Sequence, residues 1–301
     1  MHRFAGLGQL EVWYAHAELG EMGSQYQALL NTRERRLAAA DLASAQHKDG
    51  RQMLDKLTRQ VAGRPRFVSD PPLLVPLADL PSGEAGDAGC EPRLDRIIAS
   101  YRRTLESDRE FLIDHFEVAD IARKVVGIGS VGMRCRIILL LGRDASDPLF
   151  LQLKEAGASV LSAFAGASPD ANQGRRVVAG QRLMQASSDI FLGWHRARPR
   201  SGRQAGDFYL RQLRDWKFSL IIEGMGPSTM LVYGQLCGRT LARAHARSGD
   251  RIAIAAYLGR SDVFDKALAE FAAAYAEQNE RDYASLGAAV ASGRVTAQRG
   301  V

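Results

Sequence analysis

Gly127-Ile-Gly129-Ser130-Val-Gly132 is the stretch of this chain best suited to hold an anion. A G-x-G-x-x-G run lets backbone N–H groups approach phosphate oxygens, because no side chain intervenes. Further along, Lys154 ends the apolar run Phe150-Leu-Gln-Leu-Lys154 and is one of only six lysines in the chain. An ammonium buried beside such a run is costly without a partner, so something anionic is expected to meet it. The same residues also fit a hairpin whose glycines are purely structural, with Lys154 reaching solvent along its aliphatic stem. On the residues alone the two readings stand level.

The glycine run joins two expected strands. That placement argues against a dinucleotide site of Rossmann type, which needs a helix after the glycines. Strand, glycine turn and strand, with a lysine on a following strand, is instead how protein kinases cover and hold nucleotide phosphates. The rest of that chemistry requires a catalytic carboxylate with an asparagine five residues on to hold magnesium. Here the asparagines are Asn31, Asn172 and Asn279, and Tyr26, Ala167 and Ala274 stand five before them. His245-Ala-Arg-Ser-Gly-Asp250 has Ala255 where the asparagine would be. The spacing reads better as a core helix from Leu231 to His245 with Asp250 capping the next helix. Gly206-Asp-Phe-Tyr209 reads as part of a hairpin rather than a metal-binding turn. The histidines lack metal-ligand spacing, and no metal site is expected. Ser130 and Ser188 lack a nearby His-plus-acid pattern. Gln278 to Asp282 reads as a solvated helix face or an interdomain contact.

These residues need elements to carry them. The first 60 residues are rich in helix formers and lack proline, which predicts helices. Gly63-Arg-Pro65 breaks that pattern, the prolines up to Pro76 exclude helix, and 81–92 reads as a loop. Leu94, Ile97, Ile98, Tyr101 and Leu105 repeat at helical spacing, and Ser107 can cap a short helix after them. Short apolar runs at 118–127, 135–141, 149–153, 190–196 and 207–213 predict strands, with one helix over 172–187. From Pro227 the pattern is helical to about residue 292. The fold class is therefore α+β: an antiparallel meander of about five strands with one inserted helix, flanked by helices at both ends. Three regions follow: a helical 1–117 with an extended 63–92, a sheet lobe at 118–226, and a helical 227–301.

Composition excludes several classes. The chain has 301 residues, 46% of them hydrophobic and 25% charged, with no apolar run of membrane-spanning length. The start lacks the pattern of a secretory signal, and Cys90, Cys135 and Cys237 are odd in number and widely spaced. Together they predict a cytoplasmic protein with reduced thiols. Its pI is near 9.4, and 34 of its 40 basic residues are arginines, most of them scattered or mixed with acids. Arg196, Arg198, Arg200 and Arg203 form the one local cluster, without aromatic interleaving, so nucleic acid is not the expected partner.

Several longer motifs stand in one order: Val125 to Gly132, Pro148 to Ala156, Gly180 to Trp194, Asp207 to Lys217, Leu241 to Asp250 and Tyr275 to Tyr283. Together they resemble the bacterial family called domain of unknown function 2252, from about residue 60 onward and more weakly before. That resemblance implies a distant likeness to aminoglycoside-phosphotransferase-type kinases and the nucleotide-binding part of such a fold, without an established reaction. By that likeness Gly127, Gly129, Ser130 and Gly132 would cover the phosphates of ATP and Lys154 would hold them. Gln181 would stand where kinases carry the lysine's glutamate partner, with which an amide forms no ion pair. Arg211 and Gln212 would lie on the strand leading to the adenine pocket. Full-length members carry a Gly-Asp-x-His-x-x-Asn stretch and a magnesium-binding acidic stretch upstream of the part matched, so this chain reads as a truncated, catalytically incomplete form. Truncation would expose apolar helix surface and favour self-association. The other reading is a non-catalytic binding or scaffold module.

Overall fold

The structure, a computed structural model, describes residues 1–15, 32, 35–36, 50–80, 91–125, 132–197, 206–213 and 222–297. Among them are ten α-helices, a six-stranded antiparallel sheet and a two-stranded one.

The sheet is built around β5 (Cys135–Leu141), whose sequence Cys-Arg-Ile-Ile-Leu-Leu-Leu is apolar on successive residues rather than on alternate ones. That is the composition of a strand covered on both faces. Ile138 and Leu140 lie in one core, Ile137 and Leu139 in the other, and all four are fully buried. Burying each such side chain contributes about 1.5–3 kcal/mol. On either side of β5 run β4 (Glu117–Lys124) and β6 (Pro148–Ala156), both antiparallel to it.

One face of the sheet is closed by α4 (Glu91–Arg102) and α5 (Ser107–Ile113). Leu94, Ile97 and Tyr101 of α4 and Ile113 of α5 pack there against Leu149, Leu151 and Leu153 of β6. Tyr101 is fully buried and donates its hydroxyl to the Phe191 carbonyl at 2.5 Å. Burial, and after it the Asp189 carboxylate, push that phenol well above its ordinary pKa, against the opposing Arg182. The second face carries α3 (Gly50–Leu57) and a hairpin of β1 (Thr58–Val61) and β2 (Arg64–Phe67), through Leu54 and Phe67. The hairpin turns on Ala62 and Gly63, both at positive φ, which suits the right-handed strand twist. This hairpin begins inside the stretch whose composition predicted only helix, because the pairing of β1 with β2 overrides local propensity.

The expected run over 118–213 differs from the structure in two ways. A sixth strand, β3 (Leu74–Pro76), pairs with β4 at the sheet edge. Its proline is tolerated there, since an edge strand needs only one side's hydrogen bonds. The order is also β3-β4-β5-β6-β8-β7, not a simple meander. After β6, the short α6 (Ser162–Ala165) and then α7 (Gln173–Met184) lead to β7 (Gly193–Ala197) at the far edge, and β8 (Gly206–Gln212) returns between it and β6. Burial explains that choice. Phe208 and Leu210 of β8 are buried, whereas β7 carries Trp194, His195 and Arg196, only partly covered or exposed, which suit an edge.

The C-terminal region is helical as expected: α8 (Pro227–Ser248), α9 (Arg251–Leu258) and α10 (Val263–Ala291). Asp250 caps α9, its Oδ1 accepting from the N–H groups of Ile252 and Ala253. The stretch expected to be a core helix is α8, yet only Val232, Ala246 and Arg247 of it are buried. At the other end α1 (His2–Ala5) and α2 (Gln9–Tyr14) pack Phe4 and Val12 against Ala246 of α8. The cap of α5 is Glu106 rather than Ser107, which is the first helical residue.

Candidate functional site

Strand register decides which of the singled-out residues meet. Cys135 of β5 faces Lys154 of β6, Lys154 faces Tyr209 of β8, and Tyr209 faces Trp194 of β7. Residues directly opposite each other share a face, so these four form one row across the sheet. The next row joins Ile137, Gln152 and Arg211 on the same face, because positions two apart on a strand point the same way. This is the second face, beyond the ground covered by Leu54 and Phe67. Lys124 ends β4 on this face too, two residues from Ala122.

Among the described residues, the side-chain hydrogen bonds within the two rows involve no carboxylate. Arg211 donates from Nε and Nη2 to Gln152 Oε1 at 3.2 and 3.1 Å. Gln152, fully buried, donates its amide in turn to Cys135 Sγ at 3.6 Å. Burial pushes the Cys135 thiol up, while Lys154, the Gln152 bond, Arg211 and Lys124 pull the other way. Three cations thus surround one buried sulfur. Burial also raises the Tyr209 phenol, against the nearby Arg211. Among the described residues no carboxylate pairs with Lys154 or Arg211. Three acids on these strands are committed elsewhere. Glu155 faces away and holds Arg134 at 2.6 Å, a bond that keeps its carboxyl below the ordinary value. Asp120 holds Arg66 at 3.4 Å and the Phe67 N–H at 2.7 Å. Asp207 holds Arg196 at 2.7 Å.

α7 lies over the same face near β8 and β7. Its first N–H groups are met by acceptors: Gln173 donates to Asp207 at 2.7 Å, and Arg175 to the capping Asn172 at 2.9 Å. Arg175 stands 6.0 Å above the Trp194 ring, and Arg176 donates to the Gly157 carbonyl at 3.0 Å. Gly174 allows the close approach, since a Cβ there would overlap the Phe208 carbonyl. Gln181 is half-buried and lies in the stripe begun by Gly174 and Val178. The helix carries no Asp or Glu anywhere, so nothing on it can form an ion pair with Lys154.

Of the residues expected at a site, Lys154 and Arg211 come together on one face. Gln212 is on the opposite face by alternation, and its N–H is taken by Asp189 Oδ2 at 2.6 Å. Gly127, Gly129 and Ser130 lie outside the described residues. Gly132, at their edge, has φ near 76°, a conformation that favours glycine. The strands flanking the glycine stretch and the lysine strand do share one antiparallel sheet. Sequence reasoning missed Lys124, Cys135, Gln152 and Tyr209. Only Gln152 left a local signal, a glutamine interrupting the apolar run before Lys154.

Among the described residues no group of three or more His, Cys, Asp or Glu could hold a metal ion, and no helix is long and apolar enough to cross a membrane. Comparisons with curated proteins and with solved structures give no match. A family model described as "Uncharacterized protein conserved in bacteria (DUF2252)" matches residues 1–289, so the likeness includes the first 60 residues, where the motifs carried it more weakly. Covering nearly all of the 301 residues, that match shows that the chain belongs to this uncharacterised bacterial family.

Proposed function

We propose that the second face of the sheet is a nucleotide-phosphate site of kinase-like type, in which the 127–132 turn covers the phosphates and Lys154 and Arg211 hold them. The observation that carries this reading is the cluster of cations on one face. Lys154 and Arg211 share one face with Lys124, close to the end of β5 where the glycine stretch enters, and no described carboxylate neutralises Lys154 or Arg211. Buried or half-buried cations in that state favour an anionic ligand. The chain order supports the same reading: strand, glycine stretch, strand, strand with the lysine, then a helix over that strand's face, as in kinases. Gln181 replaces an ion-pair partner with an amide, so the charge of Lys154 is left for the ligand to balance. Gln212 borders this arrangement rather than facing the phosphates.

Transfer chemistry is a separate matter. The chain contains no Asp-x4-Asn to hold magnesium, so the proposal is nucleotide binding without turnover by this chain. The test is thermal unfolding with and without ATP. Binding to the folded state alone raises the melting temperature, by mass action. Lys154→Ala is expected to abolish the rise. Lys266→Ala is expected to preserve it, since Lys266 is an exposed α10 residue paired with Asp262 at 2.7 Å. Equal rises in both variants, fading steeply with salt, would instead mark nonspecific anion binding by arginines and leave the glycine turn a structural one. ATP consumption with Mg²⁺ is expected to stay at background, and robust turnover lost on Asp250→Ala would overturn the incomplete-site reading.

A further inference from the structure

A second set of cations lies on different elements, where α1 and α2 meet α8 and α9 around Phe4, Val12 and Ala246. Arg247 is only 9% exposed. Its guanidinium lies 4.1 Å from the Trp13 ring centroid, and Nη1 donates to the Trp13 carbonyl at 3.4 Å. Arg251 donates to Gln9 Oε1 at 2.6 Å and to the Leu7 carbonyl at 2.9 Å. Arg243, one helical turn before Arg247, is half-buried. The Nε of each of these three arginines is buried and has no hydrogen-bond partner among the described residues.

Every contact just named is to a carbonyl, an amide or a ring, so none brings negative charge. The acids nearest in sequence are already used: Glu11 accepts the Gly8 N–H at 2.6 Å, and Asp250 caps α9 at 2.9 and 3.0 Å. Like charges four residues apart on a helix repel. A guanidinium taken out of water without a counter-ion is costly. Burial, and after it the neighbouring Arg243, weaken the hold of Arg247 on its proton. We propose that Arg243, Arg247 and Arg251 form a binding site for a phosphate-class oxyanion. A guanidinium fork has paired N–H donors matched to such an oxyanion, and stacking on Trp13 fixes the plane of Arg247. A phosphate monoester carries about −1.5 to −2 charges near neutral pH, which suits three cations better than a single carboxylate does.

The experiment is calorimetric titration of the full chain with inorganic phosphate at pH 7.5, with sodium chloride adjusted to hold ionic strength constant. Saturable binding is expected, weakened about tenfold by Arg243→Gln through loss of charge-assisted bonds. Arg243 is the position to change because it is only half-buried and does not stack on Trp13. Arg243→Lys keeps the charge but loses the fork, and is expected to weaken binding about threefold; it is read alone if the glutamine variant unfolds. Lys266→Ala, at an exposed α10 residue paired with Asp262, is expected to bind phosphate like the wild type. Wild-type affinity in both Arg243 variants, no saturable binding at all, or an equal loss on Lys266→Ala would each overturn the site. A parallel titration with glycerol 3-phosphate separates the sources: tighter binding than phosphate assigns the site to a phosphoryl group on an organic molecule, weaker binding to the free ion.

Discussion

Asp207 ties three elements together through one carboxylate. On β8 it holds Arg196 of β7 at 2.7 Å and accepts the Gln173 N–H at the start of α7, also at 2.7 Å. Burial pushes its carboxyl up, yet the Arg196 bond, the Gln173 N–H and the Arg196 charge together hold it below the ordinary value. A pKa lower in the folded than in the unfolded chain stabilises above the unfolded value of about 3.9 and ceases to do so as pH falls through the folded value. Asp207→Asn should therefore cost roughly 1.5–3 kcal/mol at pH 7, the worth of hydrogen bonds to a charged group. The deficit should shrink toward pH 3. Urea unfolding of both proteins at the two pH values measures it, and a deficit independent of pH would assign the loss to packing.

At the scale of the element, α7 brings helix and sheet together on the candidate face, and its glycines play opposite parts. A methyl at Gly174 would collide with the Phe208 backbone, whereas at Gly180 the nearest atom is the end of the Met184 side chain at 3.9 Å. Gly174→Ala is expected to destabilise by about 1–3 kcal/mol, the usual cost of overpacking. Gly180→Ala should stabilise by roughly 0.5–1 kcal/mol, since glycine within a helix forfeits that much to alanine. Denaturant midpoints of the two variants, moving in opposite directions, check the pair. A Gly174→Ala protein as stable as the wild type would mean that α7 does not rest on β8.

Across the whole molecule, protection is uneven. β5 and β6 are covered on both faces, with seven of their residues at 1% exposure or less. Through the 29 residues of α10, by contrast, only Ala289 is buried, and Leu268, Phe271 and Tyr275 stand exposed one turn apart. Local opening costs least where few apolar contacts hold an element. Hydrogen exchange should therefore be slowest in β5 and β6 and faster by orders of magnitude through α10. Leu151→Ala, emptying a fully buried site beside Leu210, should cost about 2–5 kcal/mol and speed exchange in the sheet. Protection in α10 equal to that of β5 would show that its exposed face is covered in solution.

Much of this was legible in the residues. Apolar runs and turn signals predicted β5, β6 and β8 nearly to their ends, the helix at α7, the helical C-terminal region and Asp250 as a cap, because each is a property of neighbours along the chain. The family membership was legible too, being carried by whole motifs. Strand order and register were not, since pairing joins residues far apart and a shift by one residue reverses every side chain. Only the folded sheet put β8 inside β7, drew a proline-bearing strand to the edge, and sent Gln212 away from the face that Arg211 shares with Lys154. The candidate site depends on that register. Sequence supplied the cations one at a time, and tertiary pairing gathered Lys154, Arg211 and Lys124 around Cys135 with no described carboxylate to answer Lys154 or Arg211.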